Sequence, residues 1–127
     1  HMKQIIATEK APAAIGPYSQ GVGAAGIVIT SGQLPIDPES GSFAGSDIAS
    51  QTRQSLKNVQ AVLEASGLTM ENVVKTTVFL KDMNDFAGMN AVYAEFFREG
   101  NYPARSAVEV ARLPKDALVE IEAIAAK

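Results

Sequence analysis

Residues 73–80 read Val73-Val74-Lys75-Thr76-Thr77-Val78-Phe79-Leu80, a β-branched run set between two helical segments. Strand alternation places Val78 and Leu80 on one side and Val73 and Phe79 on the other, so apolar side chains fall on both faces. A strand patterned this way needs cover on both sides. Two helices can cover one face; an oligomer whose sheets pack against each other would cover the other.

Upstream of this strand, Ile48, Thr52, Leu56, Val59 and Leu63 recur at three- and four-residue steps, behind Asp47 as a cap and ahead of Gly67 as a stop. That spacing predicts a helix. Downstream, a second helix over 84–97 places Phe86, Met89, Tyr93 and Phe96 on one face. Further strands are expected at 3–7, 19–22, 26–31, 105–111 and 118–125. The order is strands, helix, strand, helix, two strands, which predicts an α+β or mixed α/β fold with both helices on one face of a single sheet. Locally, Leu113-Pro114-Lys115-Asp116 reads as a hairpin turn between the last two strands.

The 127 residues suit one domain with one core, and 46% apolar with 20% charged residues is ordinary for a soluble globular chain. No apolar run approaches the ~20 residues of a membrane span. A cytoplasmic protein without membrane contact is the expectation. His1-Met2 reads as an expression remnant before the native start, so His1 is set aside from the chemistry. It is also the only histidine, and there is no cysteine. Thiol nucleophiles, Ser-His-Asp triads and the usual zinc sites are thereby excluded, and no metal or cofactor is expected. The net charge of −3, with 11 scattered basic residues and no two adjacent, argues against a nucleic-acid partner.

Several motifs have competing readings. Gly21-Val22-Gly23-Ala24-Ala25-Gly26 fits the dinucleotide fingerprint in form, but it precedes a strand and no helix opens behind it, so it is read as a turn between strands. Tyr18, in a tight turn, either packs its ring at a core edge or offers its hydroxyl to a ligand. Ser31 and Gly32 at a strand end serve either turn chemistry or close ligand approach. Asn90 shares the apolar face of the second helix, where its amide either ties the helix to a neighbouring loop or orders a pocket. Arg105 opens a strand with Ala107 and Glu109 on its side, and either captures a carboxylate with its planar fork or pairs with an acid of the chain. Glu120 and Glu122 mark a solvated strand face, or one of them is a general base.

The segment Pro103-Ala104-Arg105-Ser106-Ala107-Val108-Glu109-Val110-Ala111-Arg112-Leu113-Pro114, running on to Glu120-Ile121-Glu122, resembles the C-terminal signature of the RidA/YjgF (reactive intermediate deaminase) family. The resemblance extends through Ala11-Pro12-Ala13-Ala14-Ile15-Gly16-Pro17-Tyr18-Ser19-Gln20-Gly21, Ser31-Gly32-Gln33 and Val74-Lys75-Thr76-Thr77-Val78-Phe79, and so covers essentially the whole chain. It implies a chorismate-mutase-like α+β fold: a mixed six-stranded sheet, two helices on one face, and a homotrimer whose sheets form a central barrel. In that fold the 73–80 strand separates the last two strands, against the local hairpin reading. The implied activity is cofactor-independent hydrolysis of 2-aminoacrylate and 2-imino acids to 2-keto acids and ammonia, in clefts between subunits. By position, Arg105 would bind the substrate carboxylate, Glu120 would position or activate water, and Tyr18, Ser31, Gly32, Asn90 and the backbone of Ala107 would line the cleft. Many relatives carry Cys where this chain has Ala107; a backbone contact survives that change, whereas a thiol switch there does not. Two other readings remain: a non-catalytic trimeric sensor of small carboxylates, and a ribonuclease or translation inhibitor, which the charge disfavours.

Overall fold

The computed structural model describes residues 2–127, so His1 and its reading as an expression remnant lie outside the described residues. Six strands form one sheet: β1 (Gln4–Ile6), β2 (Gly21–Ala24), β3 (Ile27–Thr30), β4 (Val73–Leu80), β5 (Ala104–Glu109) and β6 (Val119–Ala126). Their order is β1-β2-β3-β6-β4-β5. Only β4 and β5 run parallel; the other pairs are antiparallel. The fold is therefore α+β with a mixed sheet, and β4 does separate the last two strands. The hairpin reading of 113–116 is overturned: those residues form a tight 3-10 turn at Pro114–Asp116, with Lys115 and Asp116 at positive φ and Asp116 paired to Lys81 at 2.9 Å.

Helix α1 (Ile48–Ala65) forms where the spacing predicts it. The Asp47 side chain accepts from the Ser50 N–H at the N-terminus, and Gly67 takes φ +84 behind the last turn. Helix α2 (Phe86–Tyr93) is shorter than expected, because its two ends tighten into 3-10 turns at Met83–Asp85 and Ala94–Phe96. Both helices cover the face carrying Val28, Val78, Leu80, Val119, Ile121, Ala123 and Ala125. The Gly21–Gly26 motif is a β-hairpin, with Ala25 and Gly26 at positive φ as a two-residue turn of this kind requires. It is not a phosphate loop.

Alternation along β4 is broken by an irregularity between Val73 and Lys75. The extra residue returns Val73 to the helix-covered core, correcting its assignment to the face of Phe79. Helix α1 also reaches the 34–45 loop through buried amides. Asn58 Nδ2 donates to the carbonyls of Leu34 (3.0 Å) and Ile36 (2.9 Å), and Gln51 Nε2 donates to Gly45 O at 2.9 Å.

The opposite face of the sheet has no helix. Register lines Ile5, Val22, Ile29 and Ile124 into one row across four strands, and Ile29 remains 50% exposed. An apolar row of this kind has no cover within the chain.

Candidate active site

The sequence-derived site residues fall into two groups on opposite faces of the sheet. Arg105 pairs in register with Thr76, and its side chain lies on the helix-covered face. Glu120 pairs with Phe79, whose side chain points to the uncovered face. They are two strands and three residues apart, or about 14 Å between backbones. One small acid cannot touch both within a single chain.

The first half-site is built by α2 against β5. Phe86, Asn90 and Tyr93 stand at i, i+4 and i+7, one stripe of the helix. The Arg105 guanidinium carbon lies 4.7 Å from the Tyr93 ring centre and 5.4 Å from that of Phe86, while Nη1 donates to Asn90 Oδ1 at 2.5 Å. Asn90 thus ties α2 to Arg105 rather than to a loop. No acid pairs with Arg105 among the described residues, where the ion pairs are Arg53–Glu95, Lys81–Asp116 and Arg98–Glu71. With one of its five N–H donors engaged, the guanidinium keeps a free fork facing a cleft lined by Asn90, Tyr93, Ala94, Tyr102, Pro103 and Arg105. No ion pair among the described residues claims this fork, and its shape suits an anion.

Ala107 follows on the same strand, packed against the core. Strand β5 is an edge of the sheet, and the Val110 N–H donates to Leu80 O. By alternation, the N–H and C=O of Ala107 point outward along the open edge. They are free to meet a ligand or a second chain.

The second half-site is a cleft of about 890 Å³ bringing together Tyr18, Ser31, Gly32 and Glu120, with apolar walls from Ile15, Leu34 and Ile36. Its volume is at the upper end for a small-molecule pocket. Gln20 and Ser31 hold its rim. The buried Gln20 amide donates to the carbonyls of Thr8, Ala11 and Pro12 and accepts from the Thr8 N–H, while Ser31 Oγ donates to Ser19 O at 2.6 Å. Sequence reasoning passed over Gln20 as a site organiser; an amide within a turn-rich stretch was the available signal. It also read Tyr93 as core only.

Gly32 makes room for the Glu120 carboxylate. A Cβ at position 32 would overlap Glu120 Oε2 and lie 2.9 Å from Cδ. Gly32→Ala is expected to push the carboxylate aside and lower kcat roughly tenfold or more, with little change in melting temperature, as steady-state kinetics and thermal unfolding will show.

Burial raises the Glu120 pKa above the usual carboxylate value, and the neighbouring Glu122 charge raises it further. A base at this position must be ionised to act, so burial should shift the acid limb of the kcat profile upward, and Glu122→Gln should move it back to lower pH. The same shift means the folded state favours protonated Glu120. Its stabilising contribution is complete below the unfolded pKa and is lost as pH rises through the folded value. Glu120→Gln should therefore unfold at a higher temperature than the unsubstituted chain at neutral pH.

The fold and these half-sites define a small α+β protein with an unpaired arginine fork on one sheet face and a half-buried carboxylate on the other. The chain belongs to the Endoribonuclease L-PSP family, which matches residues 8–127. It is 61% identical to the 2-iminobutanoate/2-iminopropanoate deaminase of Salmonella typhimurium, over 99% of each chain. Among solved structures, the YjgF gene product of E. coli aligns with a TM-score of 0.93 and 60% identity over 98% of each chain. E. coli TdcF, solved with bound serine, aligns at 0.92 and 50% identity over 98% of each chain. The resemblance to the RidA/YjgF family is thereby borne out.

Proposed function

We propose that this protein is an enzyme hydrolysing 2-imino acids and their enamine tautomers to 2-keto acids and ammonia, in a site shared between two copies of the chain. The observation that carries this reading is the caged, acid-free Arg105 fork. It anchors the substrate carboxylate through bidentate hydrogen bonds and leaves C2 of the imine facing outward. Water then adds to C2, with Glu120 of the adjoining copy accepting its proton and returning it towards nitrogen. Collapse of the carbinolamine releases ammonia and leaves the keto acid. An imine carbon is already electrophilic, so orientation and one base suffice. The chain has no usable histidine or cysteine, and this route asks for neither.

Two facts support the shared site. Arg105 and Glu120 lie on opposite faces of one sheet, and the uncovered face bears the Ile5, Val22, Ile29, Ile124 row. A homotrimer with these faces turned inwards as a barrel buries the row and brings the edge of one chain to the Glu120 cleft of the next. Tyr18, Ser31, Gly32 and Asn90 line the two halves of that cleft, and the Ala107 backbone closes it. The relatives' names support imino acids of three and four carbons as substrates, and the serine held by TdcF supports recognition of a small carboxylate. A cytoplasmic setting fits substrates released by dehydratases, and no described helix is long and apolar enough to cross a membrane.

The family's description also names an endoribonuclease. The net charge of −3, and clefts that hold one basic side chain each, give RNA no basic track to follow. A sensor that only binds carboxylates would use Arg105 but has no need of Glu120. The test is to generate 2-aminoacrylate from serine with a dehydratase and to follow imine loss and pyruvate formation. Acceleration by the protein is expected; an unchanged rate of imine loss would refute the reading.

A further inference from the structure

The anchor has a substructure that the proposed reaction does not itself require. The Tyr93 hydroxyl and Thr76 Oγ1 are 2.6 Å apart, with Tyr93 5% and Thr76 1% exposed. Thr76 is the register partner of Arg105 across the parallel β4–β5 pairing. One ladder step therefore fixes both the base of the Arg105 side chain and the hydroxyl that pins the ring beneath its guanidinium. Phe97 also packs against this ring, at 4.8 Å between centroids and tilted by 40°. A Phe–Val pair would fill the same volume without burying two hydroxyls, so the distinct product of the hydrogen bond is a fixed ring plane.

We propose that Thr76 and Tyr93 form a positioning pair that holds the Arg105 guanidinium in the plane that receives the substrate carboxylate. Neither residue reaches the reacting atoms: Thr76 acts on Tyr93, and Tyr93 acts on Arg105. Asn90 fixes the in-plane rotation through Nη1, and the Tyr93 ring fixes the tilt. A guanidinium so held loses less freedom when it closes on a carboxylate, which favours binding over the chemical step.

The inference rests on the imine-hydrolase reading, and the test separates the two. KM and kcat for the imine, and the Kd for pyruvate by titration calorimetry, are measured for Thr76→Val, Thr76→Ser, Tyr93→Leu and Arg105→Ala. Thr76→Val should raise KM and Kd about threefold and Tyr93→Leu about tenfold, with kcat within about twofold of the unsubstituted enzyme. Thr76→Ser, which keeps the hydroxyl, should restore both constants. Unchanged KM and Kd in Thr76→Val and Tyr93→Leu would overturn the positioning role, as would a fall in kcat at constant KM. If Tyr93→Leu does not fold, the isosteric Thr76→Val and its serine rescue decide alone. Full turnover in Arg105→Ala overturns the hydrolase reading instead; turnover lost there but unmoved in the other variants overturns only the pair.

Discussion

Replacing Arg105 with alanine is expected to lower kcat/KM for imine hydrolysis about a thousandfold while leaving the chain folded. The magnitude follows from two charge-assisted hydrogen bonds to the substrate carboxylate at roughly 2 kcal/mol each, together near 4 kcal/mol. Folding should be spared because Arg105 sits on an edge strand and is in no ion pair among the described residues. Arg105→Lys should recover only part of the loss, since an ammonium keeps the charge but neither the fork nor the stack on Phe86 and Tyr93. Steady-state kinetics with the dehydratase-coupled assay measures both. An Arg105→Ala variant within tenfold of the unsubstituted enzyme would remove the anchor from the account.

Ile29→Asp should be nearly as damaging, by a different route. Ile29 is half exposed on the uncovered face, in the row shared with Ile5, Val22 and Ile124, so a single chain tolerates a charge there. In the proposed barrel, one carboxylate from each copy would be buried against apolar neighbours with no cation supplied, at a cost of several kcal/mol per ion. The expected result is a folded chain of 13.4 kDa by light scattering, where the proposed trimer of the unsubstituted protein should give about 40 kDa. Activity should fall by at least about a hundredfold, because separated chains leave Arg105 and Glu120 on opposite faces with no partner. Retained activity in a monomer would show that one chain suffices.

Helix α1 was legible because its cap, apolar period and stop agree, and each acts locally. Two-sided burial along β4 was legible too, though Val73 was assigned to the wrong face. Val73 belongs to the core because the strand carries an irregularity between Val73 and Lys75, and alternation cannot report a break in itself. The false hairpin at 113–116 shows the limit of local chemistry: Pro114 and Asp116 make a turn, but which strands flank β4 depends on pairing across distant segments. The site was legible residue by residue and illegible as an arrangement. That Arg105 and Glu120 face opposite ways depends on the registers of β5 and β6 against β4, which no run of sequence contains. Tyr93 was read as core because a helix stripe shows an apolar ring, not what lies over it; the guanidinium arrives from a strand twelve residues on.

The most direct test mixes two impaired variants. Arg105→Ala and Glu120→Gln are each purified, combined in equal amounts, dissociated and reassembled, and then assayed for pyruvate formation from 2-aminoacrylate. If each site takes Arg105 from one copy and Glu120 from the next, random assembly around a closed ring leaves about a quarter of the sites with both groups intact. Activity should rise to about that fraction of the unsubstituted enzyme. A mixture no more active than the two variants assayed separately would contradict the shared site.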